Sequence, residues 1–189
     1  MEREILLTGI GGQSVQLAAQ TLARAAMLES REVLYLGTYG GTMRGGNTDS
    51  CVIVADAPIS APPIVSRAWA ALAMHHQFWA PVRDKLRPGS VIAINAGVFE
   101  APLDRDAYQV LEIGALKLAA EAGNALAASL VLLAAFCGAT GLVGVDALIE
   151  GMRASVPSYR TQHIDTNAAA LRAGYAAAPA GVAAAWKEA

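Results

Sequence analysis

The chain has 189 residues with 14 basic and 16 acidic side chains, a formal charge of -2, and this size fits one domain. Hydrophobic residues make up 54% and charged residues 16%, against roughly 25% charged in an average soluble domain; disorder is excluded, and so is the cationic excess with which nucleic-acid binders release counterions. Three causes of the charge shortage stand open: a membrane span, a large core, or a surface that meets other proteins.

Residues 5–7 read as a first strand, Gly9-Ile10-Gly11-Gly12-Gln13 as a turn, and Ser14 as the N-cap of a helix in which Val15, Leu17, Ala18, Leu22 and Ala25 recur at helical spacing. A second strand is expected at 33–36, followed by a Gly-rich segment from Gly37 to Asn47. Residues 51–55 form a third strand, apolar on both faces and therefore expected inside the sheet. Pro58, Pro62 and Pro63 impose an extended connection. The spacing then predicts a strand at 69–74, a helix over 78–86 stopped by Arg87-Pro88-Gly89, and strands at 91–94 and 108–113. Ala-rich helices are predicted over 116–122, 125–137, 145–156 and 167–178.

The stretch between Glu121 and Asp146 is uncharged and about as long as the roughly 20 residues a bilayer needs. Gly138, Gly141 and Gly144 interrupt it, so it reads as a buried helix ending at Gly138 and not as a membrane span. Glu2, Arg3 and Glu4 lead straight into the first strand, where a leader would be apolar. Cys51 and Cys137 form no CxxC pair and read as core residues, since an iron–sulfur cluster requires about four thiolates. A cytoplasmic, reduced chain is expected. Strands alternating with helices predict a single three-layer α/β/α Rossmann-like domain over 1–189, with a mostly parallel sheet and a helical C-terminal part. Both Gly-rich loops then fall at the C-terminal ends of strands, where such sheets bind ligands.

Gly9-x-Gly11-x-x-Ser14 is one glycine short of the dinucleotide fingerprint, and Leu36 is followed by Gly37, not by the acid that would hold a ribose. Two roles stay open for the loop: an anion site of Gly11, Gly12, Gln13 and Ser14 at the helix N-terminus, or a tight turn that packs the helix on the sheet. Gly12-Gln13-Ser14-Val15-Gln16 sits where a hydrolase nucleophile elbow would, with Asp146 and His163 in the right order for a triad, but Gln16 replaces the final glycine. His75-His76 cannot chelate one metal as neighbours on a strand or helix, and one packed and one exposed histidine is expected. In Arg44-Gly45-Gly46-Asn47 an arginine held between glycines can offer its planar fork to a phosphate or carboxylate; an exposed loop arginine is the other reading. No catalytic residue and no metal ligand is assigned.

Taken in order, Gly9-Ile10-Gly11-Gly12-Gln13, Ala18-Ala19 with Leu22-Ala23 and Ala25, Tyr39-Gly40 to Arg44-Gly45-Gly46, and Asp56-Ala57-Pro58-Ile59 resemble the gamma subunit of 2-oxoacid:ferredoxin oxidoreductases. Gly123-Asn124, and Asn167 with Ala170-Leu171 and Gly174-Tyr175, extend the resemblance over nearly the whole chain. It implies a non-catalytic subunit of a complex that oxidatively decarboxylates a 2-oxoacid to an acyl-CoA. Such a complex uses thiamine diphosphate, Mg, iron–sulfur clusters and coenzyme A, with the thiamine and the clusters in other subunits and ferredoxin or a similar acceptor taking the electrons. The resemblance gives this chain the Gly-rich loops that face those partners and the coenzyme A path, namely Gly11 to Ser14 and Arg44 to Asn47. Two departures stand out: Ser14 where the family usually has glycine, and Thr42-Met43 where it often has an acid. A free-standing nucleotide- or CoA-binding module, and a serine hydrolase using Ser14, are the alternatives.

Overall fold

The computed structural model describes residues 1–39, 45–60 and 64–186. Six strands, β1 (Glu2–Ile10), β2 (Glu32–Tyr39), β3 (Asn47–Ala55), β4 (Ala68–Ala73), β5 (Leu86–Asn95) and β6 (Gln109–Ile113), form one sheet in the order β2-β3-β1-β4-β5-β6. β1, β4, β5 and β6 are mutually parallel. β3 pairs antiparallel with both β1 and β2, so it alone runs against the other strands. The strand β3 is interior, as its two apolar faces require, and it enters through a β2–β3 hairpin and not a helical crossover.

The helices are α1 (Val15–Leu28), α2 (Ala80–Arg83), α3 (Ala115–Glu121), α4 (Ala128–Thr140), α5 (Val145–Ser155) and α6 (Ile164–Ala176), with 3₁₀ turns at Ala125–Ala127 and Ser158–His163. One face of the sheet carries α1 and α3 to α6. There Ile5, Leu7, Val52, Val54, Leu72, Val91 and Ala93 join Leu22, Phe136, Leu148 and Leu171 in the main core. Trp69 and Phe136 lock sheet to α4 with ring centroids 5.6 Å apart. The opposite face buries Leu6, Ile53, Ala71, Ile92 and Ile94 under Val65, Trp79 and Val82, with Ile59, Phe99 and Leu103 at the margin. This third layer is thin, one helical turn and loops.

The helix expected over 78–86 shrinks to α2 because β5 starts earlier than its apolar run. Leu86 already pairs with Ala68. Ser90 Oγ donates to the carbonyls of Ala68 (2.8 Å) and Arg87 (2.6 Å), closing an irregularity around Gly89 that keeps Arg87-Pro88-Gly89 inside the strand. Gly138 does not end its helix either. It lies inside α4 where a Cβ would come within 2.8 Å of Ala178 Cβ, and the stop is Gly141, at φ 65°. Among the described residues no helix is long and apolar enough to cross a membrane; α4 is apolar all round because it is buried all round.

The tail crosses the opposite end of the sheet from the Gly-rich loops. Arg3 Nε donates to the Ala185 carbonyl (2.5 Å), the Ala185 N–H to the Thr140 carbonyl (2.7 Å), and Trp186 Nε1 to the Leu142 carbonyl (3.0 Å). The Arg31 guanidinium stacks 4.0 Å above the Trp186 ring, a contact of the cation–π kind.

Candidate functional site

The two Gly-rich loops meet. β1 ends at Ile10 directly opposite Asn47, the first residue of β3, and the Gly11 N–H donates to the Gly46 carbonyl at 2.8 Å. Gln13 closes the first turn from both sides: its N–H donates to the Ile10 carbonyl (3.1 Å) and its Oε1 accepts the Ile10 N–H (2.9 Å). Gly9 is required beneath it, since an added Cβ would lie 2.7 Å from Gln13 Oε1 and 2.8 Å from Val15 Cγ2. Asn47 Nδ2 donates to Asp49 Oδ2 (2.7 Å). Gly11, Gly12, Gln13, Ser14, Gly45, Gly46 and Asn47 therefore sit on one rim beside the N-terminus of α1, whose first-turn N–H groups have no intrahelical acceptor. Arg44 lies outside the described residues.

Ser14 holds the N-cap position without acting as the expected cap. Its φ is 58°, in the left-handed region, and its side chain makes no capping hydrogen bond. Its carbonyl instead accepts from the Ser129 hydroxyl (3.2 Å), tying the loop to α4. Left-handed backbone favours glycine, so Ser14 holds this turn at a steric cost that glycine would not carry.

Behind the rim stands Gln16, a residue to which the sequence reading gave no role beyond crowding a turn. Its Oε1 accepts from the Tyr35 hydroxyl (2.6 Å) and the Ser50 hydroxyl (2.9 Å), while its Nε2 donates to the carbonyls of Asp49 (2.9 Å) and Thr38 (3.3 Å). One amide thus joins the first turn of α1 to both strands of the hairpin that carries the second loop. An amide between two strands' polar groups leaves no periodic signal; the polar side of the apolar stripe in α1 was the sole hint.

Next to Ser14 opens a cleft of about 700 Å³ between α1 (Leu17, Gln20), the turn at Asn124 to Leu130, and the segment from Ser155 to Asn167. Its volume falls within the usual range of ligand pockets. Arg160 and His163 line it and no carboxylate does, so the walls favour an anion. Asn124 Nδ2 donates to Asn167 Oδ1 (2.9 Å) and Asn124 Oδ1 caps the turn by accepting the Leu126 N–H (3.2 Å), which fixes that wall. Leu126 and Tyr159, 69% and 74% exposed, stand on the rim.

The remaining candidates fall apart in space. Asp146 pairs with Arg172 at 3.5 Å, while Ser14 and His163 line the cleft, so the acid of the proposed triad is engaged elsewhere. His75 and His76 are both half-buried with ring centroids 4.4 Å apart, which corrects the expectation of one packed and one exposed ring. His75 Nδ1 accepts the Gln77 N–H (3.1 Å), and His76 Nδ1 lies 3.1 Å from the Val98 carbonyl. Cys51 packs in the outer core and Cys137 in the helix-face core; on opposite sides of the sheet they cannot ligate one cluster. Burial pushes the Cys51 thiol up to about 11 and raises Cys137 as well.

The profile of the family described as pyruvate ferredoxin/flavodoxin oxidoreductase matches residues 4–177. The chain belongs to this family. Within the oxidoreductase family it is 29% identical over 175 residues to the 2-oxoglutarate synthase subunit KorC of Methanothermobacter marburgensis, covering 83% of this chain and 88% of that one. It is 30% identical over 176 residues to the ketoisovalerate oxidoreductase subunit VorA of Methanothermobacter thermautotrophicus, covering 92% of this chain but 36% of the longer relative. Among solved structures, the gamma subunit of the keto/oxoacid ferredoxin oxidoreductase from Geobacter sulfurreducens is 25% identical with a TM-score of 0.76, over 93% of this chain and 98% of that chain. The motifs that carry the family likeness now have physical roles: the Gly9 turn, the Asn124–Asn167 bond, and Gly174, where a Cβ would fall 2.3 Å from the Val131 carbonyl oxygen.

Proposed function

We propose that this chain is the non-catalytic gamma subunit of a thiamine-dependent, CoA-acylating 2-oxoacid:acceptor oxidoreductase, and that it contributes to assembly and to the coenzyme A path. The observation that carries this reading is the family match over nearly the whole chain, together with relatives of the same length that are subunits of such enzymes. Thiamine-binding and iron–sulfur subunits are its partners, ferredoxin or a similar acceptor takes the electrons through them, and the complex is cytoplasmic. Thiamine diphosphate, Mg and the clusters are assigned to those partners; Cys51 and Cys137 lie in different cores on opposite sides of the sheet and cannot ligate one cluster together.

The joined loops fit the anionic part of coenzyme A. Backbone N–H groups at the start of a fourteen-residue helix face the rim, the sequence of the second loop carries Arg44, and Gln16 holds that loop's strands in register with the helix. Coenzyme A supplies the thiol that accepts the acyl group; the loops' part is to bind and orient it. Replacing Arg44 by Ala in the assembled complex is expected to raise KM for coenzyme A about tenfold or more, the loss of a charge-assisted hydrogen bond of about 1.5–3 kcal/mol, or to loosen assembly. Unchanged CoA kinetics in an intact complex would remove the arginine from the path.

A further inference from the structure

The sheet has two edges, and they are treated differently. At β6 the edge strand has five residues, Glu112 is ion-paired with Arg105, and the Gln109 side chain accepts the Ala183 N–H of the tail (2.9 Å) while donating to the Gly89 carbonyl (3.0 Å). This edge is short, charged and crossed by the tail. At β2 the edge runs for eight residues in unbroken register with β3. It contains no proline, lysine or bulge, and its one charge is Glu32 at its start. Among the described residues no backbone hydrogen bond joins its outward N–H and C=O groups to another element. Open edges of this kind pair with another strand unless the sequence blunts them.

We propose that β2 pairs antiparallel with β2 of a second copy of this chain about a two-fold axis through Tyr35. An isologous contact needs a self-complementary strand, and this register makes one. It sets Leu34 opposite Leu36 of the second copy, twice by symmetry, Val33 opposite Gly37, and Glu32 opposite Thr38. The leucines share the outer face, so each pair is apolar, and no like charges meet. Moving the axis to residue 36 would leave Leu34 against Thr38. The leucine row ends at an outer-face groove of about 260 Å³ whose lining is mixed, with Leu36, Ile64 and Val65 beside Thr38, Asp49 and Lys85. Leu36 and Ile64 are 44% and 78% exposed in the single chain, so the apolar part that the second copy would cover is the leucine row itself.

The pairing rests on the edge strand and not on the subunit reading. Sedimentation equilibrium of the untagged full chain is expected to give about 39 kDa, twice the 19.5 kDa chain. Leu36→Asp, at a site 44% exposed in the single chain, is expected to weaken association more than tenfold because it places a carboxylate in both leucine pairs. The register is read separately by cysteines at Glu32 and Thr38. Directly opposed residues lie about 4.5–5.5 Å apart between Cα atoms, within disulfide reach, so a mixture of Glu32→Cys and Thr38→Cys chains is expected to form a covalent dimer that neither variant forms alone. A monomer at all concentrations, or equal cross-linking by either variant alone, overturns the proposal. A monomer that still copurifies with thiamine-binding subunits would leave the subunit reading standing, and a dimer without such partners would do the reverse.

Discussion

Gln16 spends its full hydrogen-bonding capacity on four partners from β2 and β3. Gln16→Leu keeps the volume but strands the Tyr35 and Ser50 hydroxyls and two carbonyls in a half-buried site; unsatisfied polar groups cost about 1–3 kcal/mol, so a loss of about 2–3 kcal/mol is expected in urea unfolding. A loss under about 0.5 kcal/mol would show that water replaces the amide. This residue was not legible in the sequence, because its partners lie up to 34 positions away and a polar residue in a first turn reads as solvated. Gly9 to Gln13 was legible, because a turn between a strand and a helix is local chemistry. For Ser14 the residue type pointed to a side-chain cap, while the backbone uses the position for a left-handed turn that glycine would make at less cost.

At the scale of elements, the pattern of strands and helices came through wherever periodicity was local and failed where tertiary contacts decided. β4 reads as a strand from its apolar run and is one, buried on both faces. The helix over 78–86 dissolved into α2 because pairing of Leu86 with Ala68 claims its end. The direction of β3 was illegible, since antiparallel and parallel interior strands share the same apolar composition. Gly174 shows the reverse case: the family resemblance picks it out while helical periodicity does not, and α6 crosses α4 there with Val131 at the contact. Gly174→Ala would drive a methyl group into the Val131 carbonyl, and overpacking of this kind costs about 1–3 kcal/mol. For a chain of this length that lowers Tm by roughly 2–12 °C. An unchanged melting curve would mean the two helices can part freely.

For the whole molecule, the shortage of charged residues has two structural outlets. Part of it is core: α4 is buried on every side, and the Ala-rich helices pack closely around it. Part is surface: Leu36, Ile64, Leu126 and Tyr159 stand exposed beside the open edge and the cleft, as expected of a chain that shares surface with partners. The buried thiols also tie stability to pH. Burial raises Cys51 to about 11 and raises Cys137 too, above the ordinary thiol value of about 8.5. The folded chain keeps protons that the unfolded chain sheds, so their contribution is full below about pH 8.5 and falls as pH rises toward 11. The urea midpoint is expected to be flat from pH 7 to 8.5 and to decline from 9 to 11, and less so in a Cys51→Ala variant; an equal decline in that variant would remove Cys51 from the account.

The central claim is that the chain works as a subunit. Isolating it untagged from its native host and identifying what copurifies tests that most directly. The expected result is recovery with thiamine-binding and iron–sulfur subunits and CoA-dependent oxidation of a 2-oxoacid by the assembly. Recovery of the chain without iron or thiamine-binding partners, as a free module that binds a nucleotide or coenzyme A by itself, would contradict it.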